Sequence, residues 1–309
     1  MSGISSPRIR CSASARGPIR ASTRAACAIC GSGLFFPSRL LRDGVTGRAL
    51  GHPFALLLAQ AAALWPMWQW YARRMTDGSD EPWGLVTLGT VLLLVGAERD
   101  RLRREPNSVA LLGGGMLTVL SAVSIPWLPP LARAALGVSA LALTLTAILD
   151  RSRPFLPLWG LLLLSLPVVS SLQFYLGYPL RSLTAQASSG LLNLIGIPVI
   201  HSGTALGWNG RTVLVDAPCS GIRMLWAGLF LAALLSYLAR ASLTRCVLNG
   251  VVAFAIILAA NVLRNTFLFA REARILDLPA WTHSATGLVA FLVAGLLIAG
   301  VTRWRSHAR

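Results

Sequence analysis

The chain has 309 residues, of which 55% are hydrophobic and only 13% are charged, and its mean hydropathy is +0.64. Soluble globular proteins carry roughly 25% charged residues, so this chain has too few polar side chains to coat a water-soluble body of its size. The composition excludes a soluble enzyme, a disordered protein and a fibrous protein. It predicts an all-α integral membrane protein that crosses the bilayer several times.

The net charge of +17 comes from arginine alone, because the 28 basic residues include no lysine. Nucleic-acid-binding proteins cluster their basic residues on one soluble face, whereas here the arginines recur in the short breaks between apolar runs. The positive-inside rule describes that distribution for membrane proteins. We therefore expect the lipid bilayer as a partner, and no nucleic acid.

Residues 1–50 are rich in Ser, Ala, Gly and Arg and lack the compact pattern of a signal peptide. We interpret this segment as a disordered N-terminal arm, or as an extension that results from a start codon placed too far upstream. Cys27 and Cys30 have the spacing of a metal or redox pair, but no second pair or nearby histidine completes a site. We therefore expect no metal and no cofactor.

Apolar runs long enough to cross a bilayer follow one another over residues 51–309, which we interpret as one polytopic membrane domain. We predict eight transmembrane helices, at about residues 52–71, 83–98, 108–128, 131–149, 154–176, 222–239, 246–264 and 284–302. The longest break, about 177–221, separates the fifth helix from the sixth. It contains an amphipathic stretch over 183–200 and a β-prone run over 212–215, and we expect it to lie against the membrane surface.

The placement of arginine predicts the orientation of these helices. Arginines occur in the breaks at 99–104, 151–153 and 240–245, and again after the last helix at 303–309. If all four segments are cytoplasmic, both termini lie inside and the number of helices is even. The long break at 177–221 then faces the outer compartment.

Three polar residues stand at the ends of predicted helices, where polar side chains are costly and are candidates for function. Cys219 precedes the sixth helix, Arg264 closes the seventh and His283 opens the eighth. Between Cys219 and Arg264 the chain crosses the membrane inward and returns. Between Arg264 and His283 it forms one outer loop. All three are therefore expected at the outer membrane boundary.

Their chemistry is that of a thiol-dependent acyl transfer. A cysteine attacks a carbonyl as the thiolate, which a nearby cation or histidine favours. Arg264 is always charged and can hold an oxyanion, while His283 can protonate a leaving amine. Pro218 and Gly221 predict a tight turn that places the thiol near a helix N-terminus, whose dipole also favours the thiolate.

Other interpretations stay open at this point. A single cysteine within a membrane protein can be an apolar filler, and an arginine or histidine at the end of a span can be an interfacial anchor. Ser220 beside Cys219 leaves open a serine intramembrane protease. A transporter or an assembly scaffold is the non-enzymatic alternative, although spans that are nearly free of acidic residues disfavour an ion-coupled carrier.

The segment Asp216–Leu225, Asp-Ala-Pro-Cys-Ser-Gly-Ile-Arg-Met-Leu, resembles the signature of the exosortase/archaeosortase family. Asn261–Arg264 and His283 resemble the other two motifs of that family, in the same order. Upstream, similarity also covers Gln173–Tyr175, Tyr178–Arg181 and Leu192–Gly196. The resemblance extends over about residues 170–290, which we take as the catalytic region.

The resemblance implies a cysteine transpeptidase of the bacterial inner membrane with an outward-facing, periplasmic site. Its substrates would be membrane-anchored proteins with a C-terminal sorting signal: a Pro-Glu-Pro-type motif, a transmembrane helix and a basic tail. Their processing would serve protein sorting to the cell surface, with a link to exopolysaccharide.

By position, the resemblance makes Cys219 the nucleophile, Arg264 the transition-state stabiliser and His283 the acid/base. It also implies two further groups of residues. The supporting residues are Asp216, Pro218, Ser220, Gly221 and Asn261, and the substrate loop contains Tyr178, Pro179 and Arg181. Two departures leave the subfamily and the substrate motif open. Asn265 stands where many relatives have isoleucine, and the segment 77–83 lacks a histidine that many relatives have.

Overall fold

The computed structural model describes residues 53–78, 82–103, 106–149, 154–279 and 281–307. The predicted N-terminal arm, with Cys27 and Cys30, lies outside the described residues. The helices are α1 (Pro53–Ala63), α2 (Trp65–Thr76), α3 (Trp83–Ala97), α4 (Ser108–Val123), α5 (Pro130–Ile148), α6 (Phe155–Leu164), α7 (Val169–Leu194), α8 (Ile222–Leu238), α9 (Leu243–Glu272) and α10 (Thr282–His307). Short 3-10 turns, Arg99–Arg101 and Ala217–Ser220, lie before α4 and α8.

Four helical segments are long and apolar enough to cross a bilayer singly: Pro130–Ile148, Ala217–Leu238, Leu243–Glu272 and Thr282–Trp304. Together, α6 and α7 pass the same test as a fifth segment, but they bend by 92° where they meet. With 15 and 16 residues, α3 and α4 are apolar but shorter than most single spans. The described part of the chain therefore has four or five candidate spans. It is an integral membrane protein, and the prediction of eight spans is not confirmed.

The first and fifth predicted spans are not continuous helices. Between 52 and 71 the chain is interrupted at Leu64, and Pro66 in the first turn of α2 has no N–H to continue the helix of α1. Pro167 lies in the break between α6 and α7, and α7 then continues far beyond residue 176. The first part of the predicted long loop is therefore helix.

A small sheet follows α7, which the all-α prediction omits. Its strands are β1 (Ile200–Ser202), β2 (Ala205–Trp208) and β3 (Arg211–Leu214), in the antiparallel order β1-β2-β3. Leu206 of β2 lies opposite His201 on one side and Val213 on the other. Asn209 and Gly210 both have positive φ and form the two-residue turn that a twisted hairpin favours. The β-prone run at 212–215 thus overlaps β3.

The sheet is attached to the ends of two helices. Leu206 is buried against Leu192 of α7 and Phe269 of α9. The Arg211 side chain donates a hydrogen bond from Nη1 to the carbonyl oxygen of Ala273, 2.9 Å away, just after α9 ends. These contacts fix the chain that leads from the sheet into α8.

Helices α8, α9 and α10 pack together around a buried cluster that includes Leu225, Ile257 and Ile298. Gly228 allows α8 and α9 to approach closely, because a Cβ there would lie 2.6 Å from Ile257 Cγ1. Away from this cluster, the backbone N–H of Arg103 donates to the carbonyl oxygen of Ile148 at 2.9 Å, so the arginine-containing segment after α3 meets the end of α5.

Candidate active site

Cys219 lies in a tight turn between β3 and α8, and we name residues 216–221 the cysteine turn. The Cys219 N–H donates to the carbonyl oxygen of Asp216 at 2.9 Å, which closes the 3-10 turn. Gly221 ends the turn with φ +80° and leads directly into α8. A Cβ at Gly221 would lie 2.8 Å from Asn261 Cγ, so both the backbone conformation and the packing require glycine here. Pro218 and Gly221 thus occupy the tight turn that was expected of them.

Two asparagines of α9 hold the cysteine turn through its backbone. Asn261 and Asn265 each donate from Nδ2 to the carbonyl oxygen of Cys219, at 3.1 and 3.2 Å. Asn261 is only 1% exposed and also donates to Thr184 Oγ1 of α7 at 3.2 Å, while Asn265 donates to the Asn261 carbonyl at 2.8 Å. Spaced by four residues, they share one face of the helix. The sequence predicted Asn261 as a supporting residue of the site, whereas Asn265 stood out only because many relatives have isoleucine at that position.

Gln173 of α7 holds the same turn through other atoms. Its Nε2 donates to the carbonyl oxygen of Ala217 at 3.3 Å, and its Oε1 accepts a hydrogen bond of 2.9 Å from the Ser220 hydroxyl. Ser220 is 4% exposed, and its oxygen also accepts from the Ile222 N–H at 3.4 Å. The sequence offered one signal for Gln173, its place in an upstream segment that resembles the family.

Arg264 lies beside the thiol and has an unused donor. Its positive charge acts on the Cys219 thiol, and its side chain packs against α10, where a Cβ at Gly287 would lie 3.5 Å from its Nε. Its Nε atom is buried and finds no hydrogen-bond partner among the described residues. The predicted seventh span ends at Arg264, but the helix does not, since α9 continues for about two further turns to Glu272. The segment after Arg264 contains Phe267, Leu268 and Phe269 and no proline or glycine, so nothing in it stops the helix.

His283 stands in the first turn of α10 and meets a carboxylate that sequence reasoning missed. Its Nδ1 lies 3.6 Å from Oε1 of Glu272, and the two side chains are 43% and 39% exposed. The charge of Glu272 also acts on the Cys219 thiol, as do those of Arg264 and Asp216. The structure therefore places Arg264 near enough to Cys219 for its charge to act on the thiol, and it pairs His283 with Glu272. The only sequence signal for Glu272 was an isolated acid between two arginines.

A cavity of about 410 Å³ opens beside the cysteine turn. It is lined by aromatic rings, two guanidinium groups and small residues, including Trp83, Trp226, Phe291, Arg223, Arg264, Pro218 and Gly287. Gly287 and Phe291 follow His283 at intervals of four residues, so all three lie on one face of α10. Arg264 also lines a second, apolar cavity of about 450 Å³ between α9 and α10.

The predicted substrate-loop residues lie in a helix and make contacts of their own. Tyr178, Pro179 and Arg181 are part of α7, not of a loop. The Arg181 side chain donates from Nε to the carbonyl oxygen of Gly177 at 3.1 Å, and Tyr178 lies beside the turn at Gly203. Over the described ranges, no group of three or more His, Cys, Asp or Glu side chains is arranged to hold a metal ion.

No curated protein and no solved structure matches the chain. The sequence model of a family described as transmembrane exosortase matches residues 70–300, which include the cysteine turn, Arg264, Glu272 and His283. This match confirms the resemblance seen in the sequence. The chain therefore belongs to the transmembrane exosortase family.

Proposed function

We propose that this protein is a membrane cysteine transpeptidase that cleaves membrane-anchored proteins at a C-terminal sorting signal. Membership of the exosortase family supports a membrane transpeptidase-like role. One observation carries the cysteine mechanism: Arg264 lines the cavity beside the cysteine turn, and its buried Nε finds no acceptor among the described residues. A buried unpaired donor normally costs stability, and beside a nucleophile it is placed to receive an oxyanion.

In the proposed first step, the Cys219 thiolate attacks the carbonyl carbon of the scissile peptide bond. The new C–S bond leaves negative charge on the carbonyl oxygen, which the Arg264 guanidinium stabilises. The intermediate collapses with loss of the C–N bond, and protonated His283 gives its proton to the departing amine. The substrate is then held on Cys219 as a thioester.

In the second step, an acceptor nucleophile attacks the thioester carbonyl and gives its proton to the now neutral His283. The C–S bond breaks and restores the Cys219 thiolate and the protonated imidazole. The second step therefore returns the proton that His283 gave up in the first, and neither step needs a cofactor. Because Asn261, Asn265 and Gln173 hold the backbone on which the thiol is carried, little reorganisation of that backbone is required.

The cavity beside the cysteine turn supports a peptide of the Pro-Glu-Pro type as the recognised motif. The exposed rings of Trp83 and Phe291 offer apolar surfaces for proline, and the guanidinium groups of Arg223 and Arg264 suit a carboxylate. In this proposal the substrate's transmembrane helix lies in the bilayer and its basic tail is cytoplasmic. The site faces the periplasm, and the link to surface sorting and exopolysaccharide belongs to the same proposal.

The contacts of Ser220 disfavour the serine-protease alternative. The Ser220 hydroxyl is 4% exposed and donates its proton to Gln173, so its oxygen is engaged in holding the turn. A transporter or scaffold, in turn, offers no reason for asparagines to fix the backbone of a cysteine beside a cavity that Arg264 also lines.

The test is processing of a reporter in membranes of cells that produce the enzyme. The reporter carries a tag, a Pro-Glu-Pro motif, an apolar helix and an arginine-rich tail. We expect Cys219→Ala to abolish its conversion to the shortened form, and hydroxylamine to release a thioester-linked species from the wild-type enzyme. Cys246→Ala is the matched control, because Cys246 is a buried thiol near the start of α9. Persistent conversion by Cys219→Ala would refute the proposed mechanism.

A further inference from the structure

Glu272 is the last residue of α9 and lies beside the His283 imidazole at the start of α10. Its Oε1 is 3.6 Å from His283 Nδ1. Asn261, Asn265 and Glu272 are spaced by four and seven residues, so they share one face of α9. The helix face that holds the cysteine turn therefore ends in a carboxylate that meets the histidine.

We propose that Glu272 is a positioning residue, which orients His283 and stabilises its protonated form during the reaction. The inference rests on the proposed function, since it needs His283 to transfer protons. A carboxylate at Nδ1 favours a proton on that nitrogen and leaves Nε2 to exchange protons with the reacting groups. The present gap is slightly longer than a hydrogen bond, and such contacts commonly tighten when substrate binds.

Helix capping does not account for an acid at this position. The carboxylate stands at the C-terminal end of a 30-residue helix, where the helix dipole disfavours negative charge and favours cations. Arg271, immediately before it, is the kind of residue that this position favours. His283 is the partner that this carboxylate meets in the structure.

The contacts of Glu272 differ for the two proposed reacting groups. Its Oε1 lies 3.6 Å from His283 Nδ1, whereas among the described residues the cysteine turn is held by Asn261, Asn265 and Gln173 and not by Glu272. Removal of the carboxylate should therefore weaken proton transfer without weakening the reactivity of the thiol. A purely structural role would impair both, because it would disturb the cysteine turn on the same helix.

The experiment measures both properties in the full-length enzyme in membranes. In the Glu272→Gln variant, which keeps the size of the side chain, we expect processing of the Pro-Glu-Pro reporter to slow at least tenfold, with partial recovery in Glu272→Asp. Alkylation of Cys219 by a maleimide should proceed at least as fast as in wild type. It is measured with Cys11, Cys27, Cys30 and Cys246 replaced by serine. Asp277→Asn is the matched control, an exposed carboxylate without an ion pair among the described residues, and should process normally.

Two outcomes would overturn the inference. One is a loss of processing smaller than tenfold in Glu272→Gln, and the other is a parallel slowing of processing and alkylation. Failure of the proposed function looks different, because the reporter would then be shortened by Cys219→Ala or left intact by the wild-type enzyme.

Discussion

Substitution of Gly221 by alanine should damage the cysteine turn through two separable effects. Gly221 has φ +80°, and the left-handed conformation costs a residue with a side chain about 1–2 kcal/mol. The added Cβ would also lie 2.8 Å from Cγ and 2.9 Å from Nδ2 of Asn261, the amide that donates to the Cys219 carbonyl. Overpacking of this kind costs about 1–3 kcal/mol. Together we expect Gly221→Ala to lower the unfolding free energy by about 2–5 kcal/mol.

The chain contains a matched control for the first effect. Gly196 has φ +86°, but no atom lies within 4 Å of a Cβ placed there, so Gly196→Ala should lose only about 1–2 kcal/mol. Unfolding in mixed micelles titrated with SDS measures both losses, and reporter processing measures the effect on the site. We expect processing to fall at least tenfold in Gly221→Ala and to change little in Gly196→Ala. Equal losses in the two variants would refute the claim that contact with Asn261 matters.

Three further predictions concern the site. Arg264→Lys keeps the charge but loses the planar guanidinium. The reporter processing rate should therefore fall by about 10²–10³, which is the loss that removal of one oxyanion donor causes in other enzymes. A rate within tenfold of wild type would contradict the role of Arg264 as oxyanion stabiliser. Asn265→Ile leaves Asn261 as the donor to the Cys219 carbonyl. The reporter processing rate should fall about five- to tenfold, as expected for the loss of one hydrogen bond. An unchanged rate would show that Asn261 alone suffices to hold the cysteine turn. A membrane-impermeant maleimide should label Cys219 in intact spheroplasts, and labelling only after permeabilisation would place the site in the cytoplasm.

Local sequence patterns predicted the parts of the fold that depend on local chemistry. The apolar runs of α5, α8, α9 and α10 are long enough to be recognised as spans, and each is a helix in the structure. Pro218 and Gly221 identified a turn because their backbone preferences act within a few residues. By contrast, the hydropathy of the segment does not reveal the bend of 92° between α6 and α7, where Pro167 lies in the break.

The partners of the site residues were harder to predict, because each depends on a contact between distant segments. Gln173, Asn265 and Glu272 are ordinary polar residues in the sequence, and their significance appears only when α7, α9 and α10 meet at the cysteine turn. The helix face shared by Asn261 and Asn265 was visible in their spacing, but what that face would contact was not.

The hydrogen bonds that hold the cysteine turn have a consequence for the order in which the enzyme matures. Asn261 and Asn265 follow the carbonyl that they bind by 42 and 46 residues, so a growing chain exposes its thiol well before α9 can hold it. A stalled or truncated chain that ends after α8 therefore carries the nucleophile without Arg264 or His283 and should be inert toward substrates. Activity should therefore require both α8 and α9, and two fragments that are split between these helices should be active only after they reassemble.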